Sequence, residues 1–111
     1  MNELEISNFL SNADLVQKTI EQINKDFYRC GRAVQLLYSH EFSPQKELST
    51  KIATELKKLN ITELQQFIYA VDLQESIFLK AISQNDDYQS LAEKILEREA
   101  LKVFIRNNYS H

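Results

Sequence analysis

One glycine, one proline, one cysteine and no tryptophan occur in this chain of 111 residues. Each scarcity excludes something. Strands need turns, and turns lean on glycine and proline, so Gly31 and Pro44 alone cannot punctuate an all-β fold. Long helices joined by few turns are expected instead. The lone Cys30 excludes an internal disulfide and a cysteine-rich zinc site. One glycine cannot build a phosphate-cradling loop. No apolar run approaches the ~20 residues of a membrane span. The opening MNELEISNFL carries acids where a secretory signal would carry bases. A net charge of -3 gives no general pull toward nucleic acid or an anionic membrane. A soluble, cytoplasmic protein without a membrane partner is expected.

Apolar residues are plentiful, at 43% beside 26% charged, the balance of a globular protein. The length suits one helical domain over residues 1–111. Ser11 and Asp14 read as a capping box, with Leu10 and Leu15 as its hydrophobic staple. A first helix is expected from there to about Ser39. Its seam of Val16, Ile20, Ile23, Phe27, Cys30, Val34 and Leu37 alternates steps of four and three, a heptad-like spacing suited to nearly parallel or antiparallel packing. Such a helix would be ~40 Å long. Gly31 would lie beside the seam, where close approach of another helix offsets its cost of ~1 kcal/mol against alanine.

Ser43 and Pro44 then form an N-cap and first-turn pair. The helix they start runs to about Leu59 and buries Leu48, Ile52, Leu56 and Leu59. Its lysines, Lys46, Lys51, Lys57 and Lys58, have Glu47 and Glu55 within reach. Thr62 with Gln65 caps a third helix. Unbroken to Ile82, that helix would bury Glu75 in an apolar face, which is costly for a lone carboxylate. Broken at Asp72, it would place Asp72 and Glu75 in a capping box at a helix N-terminus, where the dipole favours acids. The break is the preferred reading. Asp86 or Asp87 caps a last helix reaching about Asn107, with Tyr88, Leu91, Ala92, Ile95, Leu96, Val103 and Phe104 on its apolar face. The expected fold is all-α: an antiparallel up-down bundle of four helices, or five if the third breaks at Asp72.

FIYAVDLQES is similar to a Leu-Tyr-x-Ile-Asp-x-x-Glu pattern. LAEKILEREALKVFIRNNYS is similar to Ile-x-x-Arg-Glu-Leu-x-Lys-Val-x-x-Arg-x-x-Tyr-Ser, with Arg98, Glu99, Lys102, Val103, Arg106, Tyr109 and Ser110 in register. On these stretches the second half, about residues 64–110, resembles a family of small, uncharacterised all-helical bacterial proteins. Ala100 departs from the pattern's leucine, and the first half carries no resemblance. The resemblance implies helices and a helix start at Asp72. It implies no activity.

Glu99 stands out because it falls between Ile95 and Val103 on the apolar face of the last helix. As a functional group it would be a metal ligand or a general base with a raised pKa. As a structural group it would pair with Arg29 or Arg32 of the first helix, or with its neighbours Lys102 and Arg98. The structural reading is preferred. Lys94, Arg98, Lys102 and Arg106 recur every fourth residue as a basic ladder able to meet phosphates or an acidic partner. Glu93, Glu97 and Glu99 nearly cancel it, and no aromatics are interleaved with it. His40 and His111 lack the E-x-x-H spacing of a di-iron bundle. Asp72 with Glu75, and Glu97 with Glu99, are the remaining oxygen pairs, so no metal or other cofactor is expected. Cys30 reads as a small buried hydrophobe.

These features predict a non-enzymatic helical module that binds a protein partner or a second copy of itself, with Leu36, Leu37 and Phe42 as apolar residues that dimerisation would cover. The alternatives are a nucleic-acid-associated protein using the ladder, and a metal or enzyme site around Glu99.

Overall fold

The computed structural model describes residues 3–109; Ser110 and His111 lie outside them. Six helices follow one another among the described residues: α1 (Glu3–Phe9), α2 (Ala13–Arg29), α3 (Pro44–Leu56), α4 (Ile61–Val71), α5 (Glu75–Ile82) and α6 (Gln89–Tyr109). The all-helical class stands, and the count exceeds the four or five expected.

The main correction concerns the first long helix. It ends at Arg29, and residues 32–39 are extended chain without helix. Gly31 takes φ +90, a conformation in which a side chain is strained. The Arg32 N–H donates to the Phe27 carbonyl at 3.0 Å and the Gly31 N–H to that of Tyr28 at 3.0 Å. This is the Schellman closure of a helix C-terminus. Nothing lies within 4 Å of where a Gly31 Cβ would sit, so no helix approaches there. The glycine stops a helix and does not accommodate a neighbour.

Beyond it the side chains alternate. Val34, Leu36 and Tyr38 turn inward, while Ala33, Gln35, Leu37 and Ser39 are exposed. That is the period of extended chain. Asn24 Oδ1 accepts the Leu36 N–H at 2.9 Å. Glu47 accepts the Ser39 N–H and hydroxyl, both at 2.6 Å. The Leu37 carbonyl accepts from the Lys51 ammonium. This strap therefore runs back along α2 and is tied to α3.

Helix starts shift in the same way. Asn12, not Ser11, caps α2 by accepting from the Asp14 and Leu15 N–H groups, and the Ser11 hydroxyl donates to the Asn8 carbonyl. Leu10 is nevertheless buried, and Leu15 packs against the core. Ser43 and Pro44 start α3 as expected, and that helix ends three residues early, at Leu56. Asn60 with Glu63, not Thr62 with Gln65, forms the capping box of α4. Asp86 accepts the Ser90 N–H in the first turn of α6.

The chain does break at Asp72, in the opposite sense from the expected one. Asp72 closes α4 in the left-handed conformation, φ 63 and ψ 47, with the Leu73 N–H reaching back to the Ile68 carbonyl. Gln74 precedes α5 and makes no side-chain cap. Glu75 is exposed in the first turn of α5, away from the core and favoured by the dipole.

Helix α6 packs against each of the other five helices. Its Leu91, Ala92, Ile95, Leu96, Ala100 and Val103 are buried. A second core joint stacks Phe27 of α2 on Phe67 of α4, ring centroids 4.0 Å apart and 13° from parallel. Edge-to-face contact of Phe9 with Phe104, at 5.9 Å, seats α1 on α6.

Candidate functional site

Where α2, α4 and α6 meet, the core holds charged groups. Asp26 and Glu99 are both 0% exposed. Between them sits the ammonium of Lys102, 2.8 Å from Asp26 Oδ2 and 2.7 Å from Glu99 Oε1. The same ammonium donates to the carbonyls of Ala70 at 3.2 Å and Val71 at 3.4 Å. Those carbonyls belong to the last turn of α4, where the dipole favours a cation. One lysine thus ties a helix end to two carboxyl groups.

The cluster continues outward. Gln22 Nε2 donates to Asp26 Oδ1 at 3.1 Å, and Arg106 Nη1 donates to Gln22 Oε1 at 2.9 Å. Arg29 lies 3.8 Å from Asp26 Oδ1, close enough for attraction and too far for a strong hydrogen bond. Asp26 is therefore gripped from both sides.

Glu99 is not. Neither of its buried oxygens has a well-aligned hydrogen bond, despite the short separation from Lys102. Burial pushes its carboxyl up, and the neighbouring Asp26 pushes it further; Lys102 pulls the other way and does not win, leaving the pKa at about 9. At neutral pH Glu99 therefore keeps its proton. A protonated carboxyl can donate, which suits a position facing another carboxylate. Keeping that proton spares the site a charge on Glu99 that burial makes costly.

The other candidate residues separate from this cluster. Arg32 pairs with Glu63 at 2.8 Å and also reaches the Lys58 carbonyl. Arg98 pairs with Asp72 at 2.8 Å and donates through Nε to the Asp72 carbonyl at 3.1 Å, bracing the left-handed turn after α4. Lys94 lies 3.4 Å from Glu97 on its own helix. Glu75 stands apart, at the start of α5. Three rungs of the basic ladder, Arg98, Lys102 and Arg106, are thus bound to other elements of the fold.

Asp26 was missed by sequence reasoning. A signal existed: it lies three residues after Ile23 and four before Cys30, inside the apolar stripe of α2. That placement makes the burial of Asp26 readable, as Ile95 and Val103 do for Glu99. Cys30 is buried, its Sγ donating to the Phe27 carbonyl at 3.1 Å, and burial raises its thiol pKa. Among the described residues no group of three or more His, Cys, Asp or Glu side chains is arranged to hold a metal ion, and no helix is long and apolar enough to cross a membrane. In comparisons with known proteins, no family model, no curated protein and no solved structure matches this chain.

Proposed function

We propose that this chain is a non-enzymatic helical interaction module, acting through its surface on a protein partner or a second copy, with its helices in antiparallel up-down sequence. The observation that supports it best is the placement of the charged chemistry. The carboxyl groups of Asp26 and Glu99 are buried between three helices, with Lys102 partly exposed beside them, and the set serves to join the helices. Large apolar side chains meanwhile stay at the surface: Tyr69 is 88% exposed, Tyr28 73%, Leu37 72% and Ile61 71%. Leu36, expected among the exposed residues, is buried, while Leu37 and Phe42 remain outside. The resemblance of residues 64–110 to small all-helical bacterial proteins agrees with a module of this kind and adds no substrate.

Light scattering across concentration, with affinity capture from the native host, tests the reading. Self-association, or a partner whose binding is lost when surface apolar residues are changed, supports it. A strict monomer with no partner overturns it. The nucleic-acid alternative has less support, because Lys102 faces inward and Arg98 and Arg106 already hold partners. A salt-sensitive affinity lost in an Arg98→Glu, Arg106→Glu double variant would restore it.

A further inference from the structure

Helix α5 is the least anchored helix of the fold. Every other helix buries two or more large apolar side chains, for example Ile6 and Phe9 in α1. Of α5 only Ala81 is buried. Phe78 and Ile82 are half-covered, and Ile77 and Leu79 stand 36% and 55% exposed. Its main support is α6, and that seam is not closed. Two hollows lie along it, one of about 500 Å³ beside Leu73 and Arg98, the other of about 340 Å³ beside Gln84 and Ser90. Ile77 and Lys94 border both. No side chain caps the first turn of α5, a contribution that the starts of α2, α3 and α4 all have. Its eight residues are too few to stay helical in water without tertiary support.

The connections on both sides of α5 are strained. Asp72 precedes it at φ 63, and Asn85, Asp87 and Tyr88 follow it at φ 54, 57 and 68. Asparagine and aspartate tolerate this region better than most residues, and tyrosine is an outlier in it. No glycine stands on either side to relieve them. Attachment of α5 therefore keeps non-glycine residues at both ends in a disfavoured region, which detachment would let them leave. Tyr88 packs against the core and marks where the segment ends. Holding the segment down is chiefly Arg98 of α6, which donates to the Asp72 carbonyl at 3.1 Å and pairs with its carboxylate at 2.8 Å. On the far side Lys57 and Asp87 are 4.0 Å apart and both exposed, a pair that contributes little.

We infer that residues 73–87 form an order–disorder device: α5 leaves α6 and melts as one unit while the other five helices stay folded. The contacts that join those five do not pass through α5. Helix α6 holds α1, α2 and α3, and α2 holds α4. The joint of Asp26, Lys102 and Glu99 lies among α2, α4 and α6. Release uncovers Leu73, Phe78, Ala81 and Ile82 in one step and frees the Arg98 guanidinium. Arg98 is the latch, because Asp72 cannot leave its left-handed conformation without moving the carbonyl that Arg98 holds. The device stands apart from the interaction-module reading and does not depend on it.

Native-state hydrogen exchange of the full chain tests this. The Phe78 to Ile82 amides should share one protection, about a hundredfold or more below that of Leu96 to Ala100, and their rates should hardly change in dilute urea while those of α6 climb. Arg98→Gln should quicken exchange in α5 about tenfold, through the lost hydrogen bonds, and leave α2 and α3 as they were. Lys94→Gln, whose partner Glu97 lies on its own helix, should leave α5 unchanged. Protection of α5 equal to that of α6 overturns the inference, as does protection that fades gradually from the helix ends, the mark of fraying. An Arg98→Gln variant whose α5 exchanges at the wild-type rate, or whose helices all quicken alike, overturns it as well.

Discussion

At the scale of single residues, Glu99 decides how the core responds to pH. Its folded pKa of about 9 stands above the ordinary 4.5. Between those values the folded state binds a proton that the unfolded state has released, so stability falls as pH rises across that window and levels off above it. Each pH unit costs about 1.4 kcal/mol when the group is fully responsive. Glu99→Gln keeps the shape without the proton. Urea denaturation from pH 5 to pH 9 should therefore give a flatter profile for the variant, more stable than wild type by about 1–3 kcal/mol at pH 8. Lys102→Met has the opposite effect, because it leaves Asp26 buried without its cation; a loss of about 3–5 kcal/mol is expected in the same assay.

At the scale of elements, the helix ends carry the instruction. Two helices, α2 and α4, close in the same way, with a left-handed residue and a backbone N–H returning five residues. Glycine takes that place in one and aspartate in the other. Gly31→Ala should cost about 1 kcal/mol by thermal denaturation, from backbone strain alone, since no neighbour would be struck. Asp72→Gly relieves the corresponding strain but loses an ion pair whose acidic side chain is 81% exposed. Such pairs contribute little, so a gain of up to about 1 kcal/mol is expected, whereas Asp72→Ala should destabilise.

These ends show what was legible and what was not. Ser43 with Pro44 could be read directly, because both point to one helix start. Asp72 marked a break correctly, yet an aspartate serves either end of a helix, and spacing to Glu75 could not tell which. Val34 fits both the heptad seam and an alternating strand, so the apolar pattern continued through Gly31 although the helix did not. The Asn60–Glu63 box was present in the letters and lost to its neighbour Thr62. The burial of Glu99 was legible from Ile95 and Val103 around it. Its contact with Asp26 was not, since that depends on how α2 and α6 cross.

At the scale of the whole molecule, the strap over residues 32–39 is an acid-sensitive attachment. Burial pushes the Glu47 carboxyl up, but hydrogen bonds from Ser39 and Lys51 outweigh it and hold the pKa at about 2. A depressed carboxylate stabilises above its unfolded value and loses that contribution as pH falls toward the folded one. Below the ordinary 4.5 the strap should begin to loosen. Limited proteolysis at Leu36 to Tyr38 should accelerate on acidification in the wild type and be fast already at neutral pH in Glu47→Ala.

The position of α6 has a consequence for synthesis. It is the helix on which every other one rests, and it follows them all in the chain. During vectorial translation, α1 to α5 emerge before their common support exists. Phe9 must wait for Phe104, nearly the whole chain later. The native core therefore closes late and all together, and ribosome-arrested chains ending before Leu91 should remain protease-sensitive along their length.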